Sequence, residues 1–151
     1  MPNCSDRFDQ SNCLEFSDTR REFVCKDHKE KRKYIGRNPN RNTICKFQVD
    51  KCLIPHSAQE QADYLVINNT IRVAYLIELK GSDLRKAISQ LDTTLSTLLP
   101  KLGDCQINAR VVLSKVPTTH LNSSDYIRFK KRIKRLRGTL KQQSRQMTET
   151  L

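Results

Sequence analysis

The sequence predicts an α/β domain, a mixed central sheet of about four strands flanked by helices. Most of that expectation comes from Asp63–Leu91. Tyr64–Ile67 and Val73–Leu79 are mostly β-branched, aromatic or aliphatic, and Asn68-Asn69 between them is turn chemistry, so the pair reads as an antiparallel hairpin. Gly81 breaks the second strand and Ser82 or Asp83 caps a helix. Leu84, Ala87, Ile88, Leu91, Leu95, Leu98 and Leu99 then recur at helical spacing until Pro100. The compact β-branched run Ala109–Ser114 follows; reached through a helical crossover, it is expected to lie parallel to its neighbour.

The remaining elements are read in order. Residues 1–16 are polar with scattered apolar positions and form an N-terminal arm. From Ser17 a short helix is expected, with Phe16, Phe23 and Val24 as its apolar contacts and a strongly basic second half. Tyr34–Asn42 concentrates Gly, Pro and Asn and reads as a loop. Thr43–Val49 alternates as the first strand, and Cys52–Ile54 continues it after an irregularity at Asp50-Lys51. Ser123 or Ser124 caps a basic last helix over 124–142, whose stripe is Tyr126, Phe129, Ile133, Leu136 and Leu140. Residues 144–151 read as a flexible tail. The chain of 151 residues suits one domain, here 17–143 with a motif core over 43–115.

A formal net charge of +12 and a pI near 9.7 argue for a polyanionic partner, nucleic acid before any other. Two clusters and one isolated position carry the phosphate-contact candidates: Lys31, Arg32, Lys33, Arg37 and Arg41 near the N-terminus, Lys115 after the buried strand, and Arg128, Lys131, Arg132 and Arg135 on the last helix. No apolar run has the length of a membrane span, and MPNCSDRFDQ lacks the basic start and apolar stretch of a signal peptide. A soluble cytoplasmic protein without membrane contact is therefore expected. In that setting the six cysteines are read as reduced thiols. Cys4, Cys13, Cys25 and His28 offer the weaker alternative of a zinc site. His28, His56 and His120 have no diagnostic partners. The four glycines form no phosphate-binding loop.

Strand alternation points Glu78 and Lys80 to one side and Ile77 and Leu79 to the other. An acid, Asp63, stands a hairpin away. Asp63 followed by Glu78-Leu79-Lys80 resembles the PD-(D/E)XK nuclease superfamily, in particular small resolvase-like members in the manner of Holliday-junction resolvases. The resemblance covers about Asp50 to Leu113 and departs from the pattern at Ala62, which replaces the proline. It implies a single restriction-endonuclease-like domain that hydrolyses DNA phosphodiesters with Mg²⁺, Mn²⁺ substituting. Asp63, Glu78 and the backbone carbonyl of Leu79 would supply oxygen ligands to the ion. Lys80, cationic beside those acids, would position water and stabilise the transition state. Similar nucleases carry a helix glutamine facing the site, a role open to Gln90. They also place an acid on their first helix near the metal, which makes Glu22 the preferred candidate, with Glu15 and then Asp50 behind it. A homodimer is compatible with cutting two strands, in repair, recombination or defence against foreign DNA. Two alternatives stay open: a catalytically inactive nucleic-acid-binding protein on the same scaffold, and a zinc-binding interaction module.

Overall fold

The computed structural model describes residues 3–9, 11–27, 31–55, 61–79, 83–115 and 123–151. Among these residues, nine strands and two helices make up the regular structure, with short 3₁₀ turns at Cys4–Asp6, Ser11–Cys13 and Leu99–Lys101. The strands are β1 (Leu14–Asp18), β2 (Glu22–Lys26), β3 (Lys33–Arg37), β4 (Ile44–Gln48), β5 (Tyr64–Asn68), β6 (Val73–Leu79), β7 (Gln106–Leu113), β8 (Leu140–Ser144) and β9 (Gln146–Thr150). Helix α1 runs Leu84–Leu98 and α2 runs Ser124–Arg135. Six strands form one sheet in the order β1-β4-β5-β6-β7-β8, and β2-β3-β9 form a second. This overturns the expected sheet of about four strands flanked by helices: the fold is dominated by its sheets.

The motif core folds from local signals. β4, β5 and β6 pair antiparallel, with Val66 opposite Lys46 on one side and Tyr75 on the other. Asp83 caps α1 by accepting from the Lys86 amide at 3.0 Å, and α1 carries the chain over to β7, parallel to β6. Ser123 caps α2 in the same way, through the Tyr126 amide. β8 then lies parallel to β7. Every β6 position from Ala74 onward is buried, because the six-stranded sheet is covered on both faces. Leu65, Leu76, Leu84, Leu91, Phe129 and Ile133 fill the helical side. Phe23, Cys25, Tyr34, Val66, Ile77, Val112 and Met147 fill the side facing the small sheet.

The small sheet replaces two expected elements. The helix expected from Ser17 is instead the hairpin β2–β3, in which Phe23 and Cys25 point inward and Glu22 and Lys26 outward. That is a period of two, which the long basic side chains obscure. Tyr34–Arg37 is accordingly strand rather than loop. Gly36 is required here because a Cβ would run into the Phe23 ring. Residues 144–151 are no flexible tail: 146–150 are β9, paired in parallel with β3. Burial of Met147 and the contact of Glu149 with Arg110 (2.6 Å) and the Tyr34 hydroxyl (2.8 Å) hold it there.

Helix α2 stops at Arg135, not at 142. Arg137 takes φ 69° and the Gly138 amide returns to the Ile133 carbonyl. A Cβ at Gly138 would meet the Ile107 carbonyl, so this backbone passes where only glycine fits. Leu140, which continues the helical spacing of Ile133 and Leu136, opens β8. Cys52–Ile54 likewise leaves the strand: Asp50–Ile54 closes on itself as a turn with Lys51 at φ 60°.

The N-terminal arm is fastened down. Disulfides join Cys4 to Cys45 and Cys13 to Cys52, with Cα atoms 5.9 and 5.6 Å apart. Arg7, almost fully buried, donates to both Asp104 oxygens at 2.9 Å and to the Asn69 side chain. The expectation of reduced thiols therefore fails for four cysteines, and the zinc set fails with it because Cys4 and Cys13 are consumed. His28 lies outside the described residues, as do His56 and His120. Cys25 and Cys105 are free and buried, and burial pushes their thiols up to about 12 and about 11. Among the described residues no helix is long and apolar enough to cross a membrane.

Each disulfide closes a loop of about forty residues, so replacing Cys13 by serine should cost about 3–4 kcal/mol in urea or guanidinium unfolding. Thiol titration of the denatured, unreduced protein should find two reactive groups. Arg7, by hydrogen bonding and charge, holds the Asp104 carboxyl down at about 2. A depressed carboxylate stabilises above its unfolded value near 4. Asp104→Asn should therefore be less stable than the parent at pH 6, the gap closing as pH falls through about 2.

Candidate active site

The β5–β6 register runs Tyr64 to Ile77 and Leu65 to Leu76. One residue further, at the end where β6 leaves the sheet, it sets Asp63 opposite Glu78. Directly opposed side chains in an antiparallel pair point to the same face with Cβ atoms about 5 Å apart. That face is the one covered by α1, since Leu65 and Leu76 pack there. The Asp63 Oδ2 accepts the Leu79 amide at 2.8 Å, so the carboxylate is held against the backbone of the Glu-x-Lys segment. Glu78 is 2% exposed, and Asp63 is half-buried and opens onto a cleft. Lys80 lies outside the described residues.

The helix behind this point contributes polar groups of its own. Thr94 on α1 accepts the Ala62 amide at 2.9 Å, and its hydroxyl lies 3.0 Å from Gln61 Oε1 and 2.7 Å from the Gln90 carbonyl. Gln61 and Gln90 are both buried. Gln90 therefore sits on the sheet-facing side of α1, one turn nearer the helix start than Thr94 and so towards the end of β6. A polar residue at position 94 in the stripe Ala87, Leu91, Leu95 and Leu98 was the available signal for this cluster. Gln61 had none.

The cleft has a volume of about 750 Å³. One wall is the end of the large sheet: Gln48, Asp50, Lys51, Asp63, Tyr64, Leu79 and Ser114. The other is the β2–β3 turn, with Lys26, Asp27, Lys31 and Arg32. Asp27 shapes that turn, accepting the Lys31 amide at 2.9 Å and pairing with Arg32 at 2.5 Å. Arg32 also donates to the Ser114 hydroxyl at 2.7 Å, bridging the two walls. Tyr64 donates its hydroxyl to the Lys26 carbonyl at 3.1 Å. Burial, then the acids Glu15 and Asp63 and the Cys25 thiol, push it up to about 12, so it stays protonated. Its ring carries the Lys46 ammonium 4.6 Å from the centroid.

The other expected residues are dispersed. Glu22 is not near the site: it begins β2, while Lys26 at the far end lines the cleft, about 13 Å of strand away. The helix that was to carry it is a strand. Glu15, on β1, is engaged with Lys46 at 2.8 Å. Asp50 does line the cleft and accepts the Gln61 amide at 3.3 Å. Lys31 and Arg32 are in the cleft and Lys115 is beside it. Lys33 is half-buried on β3, and Arg37 and Arg41 are at the opposite end of the small sheet. On α2, Arg132 pairs with Asp92 at 2.5 Å and Arg128 with Asp125 at 2.6 Å, while Lys131 and Arg135 are exposed. The two basic clusters consequently lie on opposite faces of the large sheet.

The two carboxylates and the Leu79 carbonyl are hard oxygen donors of the kind Mg²⁺ takes, and the ion commonly completes its shell with water and phosphate rather than further protein groups. The donor set fits the ion on that basis. Among the described residues no group of three or more His, Cys, Asp or Glu side chains is assembled for a metal. Set beside protein-family models, curated proteins and solved structures, the chain finds no match in any of the three.

Replacing Thr94 by valine would leave the buried Ala62 amide and Gln61 without their shared hydroxyl. A loss of about 1–3 kcal/mol is expected in chemical denaturation.

Proposed function

We propose that this chain is a metal-dependent endonuclease of the PD-(D/E)XK superfamily, hydrolysing DNA phosphodiesters at the cleft that Asp63 lines, with Glu78 buried on the neighbouring strand. The observation that carries the reading is the β5–β6 register, which, extended by one residue, sets an acid before one strand opposite the acid of a Glu-x-Lys on the next, with Asp63 on a cleft whose other wall carries Lys26, Lys31 and Arg32. The basic wall supplies the attraction for a phosphodiester.

Asp63, fixed by the Leu79 amide, and Glu78 would hold Mg²⁺ together with the Leu79 carbonyl. The ion, when bound, acidifies water and offsets charge on the phosphate. Lys80, by the same resemblance, would orient the attacking water and neutralise charge developing on the phosphoryl oxygens. Gln90 lines the same end from α1. Arg32, anchored by Asp27 and Ser114, presents fixed positive charge to the incoming backbone. Two disulfides favour folding and work in an oxidising environment over the reducing cytoplasm.

Plasmid nicking with Mg²⁺ tests the proposal. Asp63→Asn, Glu78→Gln and Lys80→Ala should each lower the rate by roughly a hundredfold or more, with EDTA abolishing it. Nicking that persists at the parental rate in all three would sink the assignment. DNA binding with no cutting of duplex, single-stranded or branched substrates would favour the non-catalytic binding protein.

A further inference from the structure

Among the described residues, the non-glycine positions with positive φ are Arg41 (55°), Lys51 (60°), Arg72 (59°), Arg137 (69°) and Arg145 (67°), and no glycine takes that conformation. The left-handed region is disfavoured for long L side chains, and Gly or Asn is its ordinary occupant. All five are basic. Backbone strain kept at an exposed turn suggests that the side chain itself is required there.

Three of the five have local explanations or lie away from the cleft. Arg72 pairs with Asp104 at 3.8 Å, Arg41 donates to the Thr19 carbonyl, and Arg137 closes α2 at the far end of the large sheet. Lys51 and Arg145 differ. Both are exposed and neither has an acidic partner among the described residues. Lys51 lines the cleft with Asp63. Arg145, in the β8–β9 turn, lines an adjoining groove of about 600 Å³ with Lys115 and Ser144. Ser114 borders both, so cleft and groove adjoin, and the two together are called the channel.

The channel follows the strand order. Lys51 lies past the end of β4, Asp63 precedes β5, Leu79 ends β6, Ser114 follows β7 and Arg145 follows β8, along the neighbours β4-β5-β6-β7-β8. Four strand spacings of about 4.8 Å make roughly 19 Å. At about 3.4 Å of rise per nucleotide that covers five to six nucleotides. Among the described residues the lining has one aromatic, Tyr64, whose hydroxyl is already tied to Lys26, so base stacking has little to rest on there.

We infer that this channel is a sequence-independent binding track for the backbone of duplex DNA, in which Lys51 and Arg145 grip phosphates on the two sides of Asp63, about one and three strand spacings away. The inference rests on the nuclease reading for the position of the scissile phosphate. The basic face of α2, on the opposite side of the large sheet, takes no part in the track.

Glycine at these two positions separates function from folding, because it relieves the backbone while deleting the charge. Lys51→Gly, Arg145→Gly and the double variant are to be titrated with a labelled 20-base-pair duplex in EDTA at 50–200 mM NaCl. The slope of log K against log salt should become shallower by about 0.9 for each charge removed, with thermal midpoints equal to or above the parent's. Lys131→Ala/Arg135→Ala on α2 should leave the slope unchanged. A parental slope in the double variant, or a loss carried by the α2 pair instead, overturns the track. Should either glycine variant unfold, asparagine at the same position tolerates the left-handed backbone and repeats the test. Parental nicking dependence on Asp63 alongside an unchanged slope would reject the track and retain the nuclease, whereas no duplex binding by the parent at 50 mM NaCl would reject both.

Discussion

Burial of β6 on both faces is the constraint from which the rest of the structure follows. With α1 against one side and the small sheet against the other, every inward position from Ala74 to Leu79 must be compatible with a dry interior. An acid is tolerable on such a strand only at an end, where charge can be compensated from beyond the sheet. Glu78 is at that end. The same constraint explains why its neighbours are polar groups tied to backbone: the Asp63 carboxylate to Leu79, and Thr94 to Ala62. Each satisfies a donor that the end of a strand would otherwise leave unmet.

Two devices brace the layers that cover this strand. Disulfides clamp the N-terminal segment to β4 and to the turn after it, the turn that also bears Asp50 and Lys51. Arg110, buried on β7, reaches through to Glu149 at 2.6 Å and to the Thr139 carbonyl, stitching the large sheet to β9 and to the start of β8. An ion pair this enclosed contributes specificity of docking more than net stability. Glu149 stays below the usual carboxylate range although burial opposes its charge, because Arg110, Tyr34 and Lys141 outweigh the cost of desolvation.

Residues 44–49 and 64–113 were legible because local chemistry and tertiary environment agree there. β-branched runs became β5 and β6, Asp83 capped α1, and the crossover gave a parallel β7. Asp63 and Glu78 could be paired from sequence because hairpin register is local. The ends of the chain were not legible in the same way. β2 has only Phe23 and Cys25 to bury and β9 only Met147, which is too little apolar signal to separate strand from helix or coil. β9 finds its partner, β3, more than a hundred residues away, and β2, though paired with β3 close by, is fixed by burying Phe23 and Cys25 against the large sheet. Lys51 and Arg145 were invisible for a different reason, since nothing in a lysine or arginine announces a left-handed backbone. The cysteines were misassigned because their pairing partners were judged by compartment rather than by position in the fold.

The parallel pairing of β3 with β9 has a consequence for the order in which the protein assembles. β3 is the middle strand of the small sheet, yet its second neighbour is made about a hundred residues later. At synthesis rates of about 5–20 residues per second, the β2–β3 hairpin waits on the order of 5–20 s with an open edge. Such an edge invites pairing with the wrong chain. Lys33 and Arg37 stand at its two ends, and charge on an exposed edge is the usual protection against that pairing. Lys33 and Arg37 are thus placed where the edge that must wait for β9 would need charge, a demand separate from anything the finished molecule binds.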